Sequence, residues 1–79
     1  MNDLNVIDPI QKTNFINNQL NGYLLLFNTK TKHYRLLKNS NTVAEFDADG
    51  KIHANTKDYL AEVDRSTVLF VSDCIKDCL

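Results

Sequence analysis

Two cysteines and two histidines are the residues of this chain best suited to chemistry. Cys74 and Cys78 lie four apart, and His33 and His53 sit in its middle. On a helix the two thiols share a face, and with both imidazoles they could make up a four-ligand zinc set. The close CxxC knuckle of structural zinc sites is missing, however, and a pair of thiols in an intracellular chain is ordinarily reduced. The residues therefore read as free thiols, surface histidines and no metal. Glu45, Asp47, Asp49 and Gly50 match positions one, three, five and six of an EF-hand calcium loop, and Ile52 suits position eight. Position twelve is Thr56 rather than a bidentate glutamate, and the flanks carry strand rather than helix patterns, so the segment reads as a hairpin turn.

Catalytic arrangements are equally thin. Ser40, Ser66 and Ser72 stand outside any nucleophile-elbow pattern, and neither histidine has a local base or acid beside it. A phosphate-cradling loop cannot be built from two glycines, Gly22 and Gly50. The expectation is a protein that is not an enzyme and uses no cofactor.

Charge is distributed unevenly. No acid occurs between Asp8 and Glu45, where Lys12, Lys30, Lys32, Arg35 and Lys38 are all cationic. From Glu45 onward eight acids face four bases, although the whole chain carries a net charge of only -1. This predicts one basic and one acidic surface, with Lys30, Lys32, His33, Arg35 and Lys38 on one side and Glu45, Asp47 and Asp49 on the other. These eight residues are the candidate partner-binding set.

The elements that must position them follow from the apolar pattern. At 79 residues, 43% hydrophobic and 24% charged, the chain suits one small domain burying roughly 60–65% of its unfolded surface. Residues 1–7 read as a loosely held arm. Asp8-Pro9 is a helix-start signal, and Ile10, Thr13, Ile16, Leu20 and Tyr23 fall broadly on one helical side, predicting a helix from about Pro9 to Leu20 that ends at Asn21-Gly22. From Tyr23 to Ala54 apolar runs alternate with polar turns in the manner of a four-strand meander: Tyr23–Phe27, Lys32–Lys38, Val43–Asp47 and Lys51–Ala54. Asp49-Gly50 is a type I′ hairpin signal. Tyr34, Leu36, Ala44 and Phe46 should point inward, and Val43, Glu45 and Asp47 outward.

A short helix from Lys57 to Asp64, buried through Tyr59, Leu60 and Val63, then leads to a fifth strand at Thr67–Val71, with Ser72 capping a last helical turn. Both Tyr23–Phe27 and Thr67–Val71 are apolar on each face, which predicts that they pair at the centre of the sheet, in spatial order 4-3-2-1-5. The fold class is thus α+β, one antiparallel sheet of about five strands packed with an N-terminal helix and a short helix before the last strand. A partial barrel is the alternative closure.

The longest apolar run, Tyr23–Phe27, is far short of the roughly 20 residues of a membrane span, and no signal-peptide order opens the chain, so a cytoplasmic setting is expected. Composition favours a protein-interaction module, an inhibitor or adaptor that binds another protein or complex through opposed charge patches. In size, absence of catalytic motifs and meander-plus-helix plan, the layout resembles compact single-domain proteins of phages and mobile elements, including anti-CRISPR inhibitors. That resemblance implies occlusion of a site on a host complex. The alternative is a module for RNA or single-stranded DNA, with the basic hairpin on phosphates and Tyr34 stacked on a base. Oligomeric state, partner identity and the binding face stay open.

Overall fold

The computed structural model describes residues 8–53 and 62–77. Helix α1 (Pro9–Asn17) is followed by strands β1 (Leu24–Phe27), β2 (Tyr34–Lys38) and β3 (Asn41–Phe46) and by helix α2 (Glu62–Asp77). The protein is α+β. Its three strands form one antiparallel sheet in the order β1-β2-β3, with both helices on one face.

Helix α1 starts where the sequence marks it. Asp8 keeps an extended backbone, its carboxylate accepts from the Ile10 amide at 2.8 Å, and Pro9 supplies the first helical φ. It stops at Asn17, short of the expected Leu20, where tighter bonds take over: the Gln19 amide donates to the Ile16 carbonyl and that of Leu20 to Asn17. Thr13 and Ile16 face the sheet, while Ile10 and Phe15 stay exposed.

Each strand connection has its own turn chemistry. Asn28 accepts the Lys30 and Thr31 amides on its side-chain oxygen, and Lys32 is left-handed at φ 65°. The type I′ geometry expected at Asp49-Gly50 instead occupies Asn39-Ser40, both at positive φ, between the paired residues Lys38 and Asn41. At Asp47–Lys51 only Gly50 is left-handed. The Gly50 amide donates to the Asp47 carbonyl and the Asp47 amide to the Lys51 carbonyl, which is a three-residue hairpin loop.

The core is the inward row Leu25, Tyr34, Leu36, Ala44 and Phe46 against Ile16 of α1 and Val68, Val71 and Ile75 of α2. The inward assignments for β2 and β3 hold, except that a bulge between Leu36 and Leu37 leaves Val43 without a register partner and leaning on the core.

Four expectations are overturned. The Thr67–Val71 run is helical: Val68, Val71, Ser72 and Ile75 make a buried stripe at i, i+3, i+4 and i+7, and Leu69 and Phe70 turn outward. With no fifth strand among the described residues, β1 lies at the edge of their three-stranded sheet rather than at its centre, and the 4-3-2-1-5 order falls. Strand four shrinks to a single bridge between Ile52 and Phe46. The expected short helix lies partly outside the described residues; its end, Glu62–Asp64, is the first turn of α2, where Val63 is exposed rather than buried. The arm at 1–7 also lies outside the described residues.

Two contacts attach the helices to the sheet. Asn17 meets the β1 edge as a strand would, its side-chain nitrogen donating to the Leu25 carbonyl at 2.9 Å and its oxygen accepting from the Leu25 amide at 2.7 Å. Buried Ser72 in mid-α2, expected to be a cap, donates its hydroxyl to the Gly50 carbonyl at 2.6 Å. A β-carbon on Gly50 would lie 2.8 Å from the Ser72 carbonyl oxygen, too close to accommodate, so the turn seats on α2 only as glycine.

Gly50→Ala should therefore destabilise by roughly 2–4 kcal/mol, combining left-handed strain with overpacking against helix backbone. Gly22→Ala, also left-handed but with open space around it, should cost only about 1 kcal/mol. Ser40→Gly should stabilise by about 0.5–1 kcal/mol, because it removes left-handed strain at a cost in unfolded-chain entropy. Urea unfolding of the three variants checks all three signs.

Candidate functional site

Helices cover one face of the sheet, and the other carries two rows set by the strand register. Leu24 lies opposite Leu37, and Leu26 opposite Arg35, which in turn faces Glu45. Leu24 is 50% and Leu26 45% exposed, and Leu37 is half-buried. The Arg35 Nε approaches a Glu45 carboxylate oxygen at 3.6 Å, with both side chains well exposed. A pair this open is worth about 0.2–1 kcal/mol, so either partner can exchange it for another charge at little cost. A cleft of about 330 Å³ opens beside the pair, among Leu26, Asn28, Thr31, His33, Arg35 and Glu45. A second hollow of about 340 Å³ lies at the far end, between Leu24, Leu37 and the Asn39-Ser40 turn.

The eight candidate residues do not form two opposed patches. Lys30 and Lys32 are exposed on the β1–β2 turn. Lys38 turns to α2, where its ammonium lies 3.2 Å from an Asp64 oxygen and 5.5 Å from the centre of the Tyr23 ring. The same Asp64 oxygen accepts from the Tyr23 hydroxyl at 2.5 Å. The Tyr23 hydroxyl first, then the Lys38 ammonium, hold the Asp64 carboxyl below its ordinary range. Hydrogen bonding and attraction from Asp64 raise Lys38 in turn. This network fastens the start of α2 to β1 and β2, so Lys38 is a structural cation.

Asp47 is also committed locally. Its Oδ1 accepts from the Asp49 amide at 2.9 Å and the Lys51 amide at 3.0 Å. Its carboxyl is lowered chiefly by the Lys51 amide, with the Asp49 amide and the nearby His33 and His53 pulling the same way against burial. The EF-hand spacing is thus a hairpin turn stabilised by aspartate, while Glu45 lies on the sheet face beside Arg35. Asp49 is exposed at the turn tip.

The two histidines, expected to be separate surface residues, come together half-buried, with ring centroids 5.2 Å apart and planes at 64°. Cys74 is free and half-buried on α2, and burial pushes its thiol up, with Asp73 and Asp77 adding. Cys78 lies outside the described residues. Among the described residues no set of three or more His, Cys, Asp or Glu is placed to hold a metal ion, and no helix is long and apolar enough to cross a membrane.

Sequence reasoning missed the apolar open face. The signal is present in Leu24 and Leu26, but a segment apolar on both sides reads as a central strand. No protein-family model matches the chain, and no curated protein or solved structure shows significant similarity to it.

The Tyr23–Asp64–Lys38 network has a defined pH window. A lowered carboxyl contributes stability above its unfolded value, about pH 4, and loses it as pH falls through the lower folded value. The raised ammonium contributes below about pH 10.4 and loses it as pH rises through its higher folded value. Asp64→Asn should destabilise the protein at pH 7, and the difference from the parent should shrink steadily below pH 4 in urea titrations.

Proposed function

We propose that this chain is a non-enzymatic protein-interaction module, an inhibitor or adaptor, that docks its partner on the open face of the sheet. The observation that carries this reading is the exposure of Leu24 and Leu26 in a register that also sets Leu37 and the Arg35–Glu45 pair on the same surface. Apolar area supplies binding free energy at about 25 cal/mol per Å² removed from water, and an exchangeable ion pair supplies orientation. The partner that suits it lays an apolar strip along β1 and β2 and meets Arg35 and Glu45 with charges of opposite sign.

Entry along the strand edges is less favourable. Asn17 already occupies the Leu25 backbone groups on β1, and the His53 amide donates to the Glu45 carbonyl beside β3 at 3.0 Å. The face is therefore a better docking surface than the edges. For the non-enzymatic part, two nucleophiles among the described residues are poorly activated: the Cys74 thiol is pushed toward its neutral form, and the Ser72 hydroxyl is buried on the Gly50 carbonyl.

The nucleic-acid reading keeps less support. Tyr34 is 2% exposed and cannot stack on a base, while Arg35 and Lys38 each sit against a carboxylate. Lys30 and Lys32 are the exposed cations left on that hairpin.

Leu24→Glu and Leu26→Glu should each abolish recovery of a stoichiometric partner in affinity purification, while shifting unfolding free energy by no more than about 0.5 kcal/mol. Lys30→Glu with Lys32→Glu should leave recovery unchanged. Capture that survives both leucine variants, or salt-sensitive binding of a single-stranded oligonucleotide that the lysine variant abolishes, would overturn the proposal.

A further inference from the structure

The register that sets Arg35 beside Glu45 makes the open sheet face complementary to itself. Across the strands one row runs from Leu26 on β1 through Arg35 on β2 to Glu45 on β3. The Phe46–Ile52 bridge and the His53 amide on the Glu45 carbonyl extend that row to His53. Its two middle positions carry opposite charges 3.6 Å apart, and its outer two are an exposed leucine and a half-buried imidazole. A two-fold axis between β2 and β3, parallel to the strands, exchanges the middle positions with each other and the outer ones likewise.

A second copy stacked across that axis, with sheets about 10 Å apart, brings its Glu45 over Arg35 and its Arg35 over Glu45. Its Leu26 comes over His53. Each of the four charges then has an opposite charge beside it in its own sheet and another across the interface, a network worth more than the single exposed pair. We propose that the chain associates with a second copy of itself, face to face through Arg35 and Glu45, and that this pairing masks the surface offered to a partner. The inference rests on the reading of this face as the docking surface and adds a control on it.

Two further observations favour this pairing. Sheet-to-sheet extension through the edges is hindered, because Asn17 holds the Leu25 backbone groups and His53 holds the Glu45 carbonyl. A net charge of -1 gives two copies little long-range repulsion. Size then sets the strength. Three strands about 4.8 Å apart and about five residues long present roughly 240 Å² in projection. A stable complex buries about 800 Å² on each partner, so this association is weak and reversible, and a partner that covers more of the face displaces the second copy.

Sedimentation equilibrium of the full chain between about 10 μM and about 1 mM tests the pairing. A monomer–dimer equilibrium is expected, weakened at high salt. Arg35→Glu leaves two acids at the middle of the row and Glu45→Arg leaves two bases, so each variant alone should dimerise at least tenfold more weakly than the parent. Mixed in equal amounts, the two should form a heterodimer, because every cross-interface pair is again of opposite sign. That rescue also excludes misfolding as the cause of the loss. A parent that stays monomeric throughout, a dimer that both variants retain, or a mixture that fails to associate would overturn the proposal. A monomeric parent that still recovers a stoichiometric partner overturns the pairing alone. Conversely, a dimer with this charge pattern that recovers no partner supports the pairing and counts against the adaptor reading.

Discussion

The structure depends on one close approach, where the Gly50 turn meets the backbone of α2 at Ser72. Three strands present a single apolar face that two helices must cover, and α2 can lie down on β3 only if the turn beyond β3 lets it. Glycine at position 50 removes the β-carbon that would strike the Ser72 carbonyl oxygen, and the Ser72 hydroxyl satisfies the buried Gly50 carbonyl in return. With that contact made, Val68, Val71 and Ile75 reach Phe46, Ala44 and their neighbours in the core. The polar fastenings then act around it. Lys12 donates to the Ile75 carbonyl at 3.1 Å in the last turn of α2, and Asp64 ties the first turn to Tyr23 and Lys38.

The same plan determines what is left outside. Covering one face of a three-strand sheet leaves the other face open among the described residues, and here it mixes the exposed Leu24 and Leu26 with the Arg35–Glu45 pair. Unpaired strand edges are a hazard for aggregation. Asn17 and the segment around His53 reduce it by occupying backbone groups on either side. The exposed leucines of β1 thus lie on a face, where a partner can be selected by shape and by the Arg35–Glu45 pair, rather than on an edge that any strand could extend; Ile10, Phe15, Val63, Leu69 and Phe70 are exposed on the helices.

The candidate residues divide by where the fold sends them. Charge counting along the chain could not separate Lys38, bound to a helix distant in sequence, from Lys30, exposed at a turn. It could not distinguish Asp47, whose carboxylate holds a turn together, from Asp49 at the tip. Nor could it bring His33 and His53 together, because their meeting follows from the register of β2 and β3 and the turn between Asp47 and Lys51.

What the sequence determined by itself is local. Asp8-Pro9 starts a helix, Asn28, Asn39 and Gly50 bend the chain, and alternation sends Tyr34, Leu36, Ala44 and Phe46 inward, because capping, left-handed tolerance and strand period act over a few residues. Tertiary structure decided the fate of Thr67–Val71. Its branched and aromatic residues suit a strand, but helix propensities differ by only about 0.7 kcal/mol per residue, and a stripe extending to Ile75 can bury against the sheet only if the segment is helical. That single outcome turned β1 from a central strand into an edge and left Leu24 and Leu26 on an open face. The exposed surface is therefore a property of the packing, set by which residues α2 chose to bury.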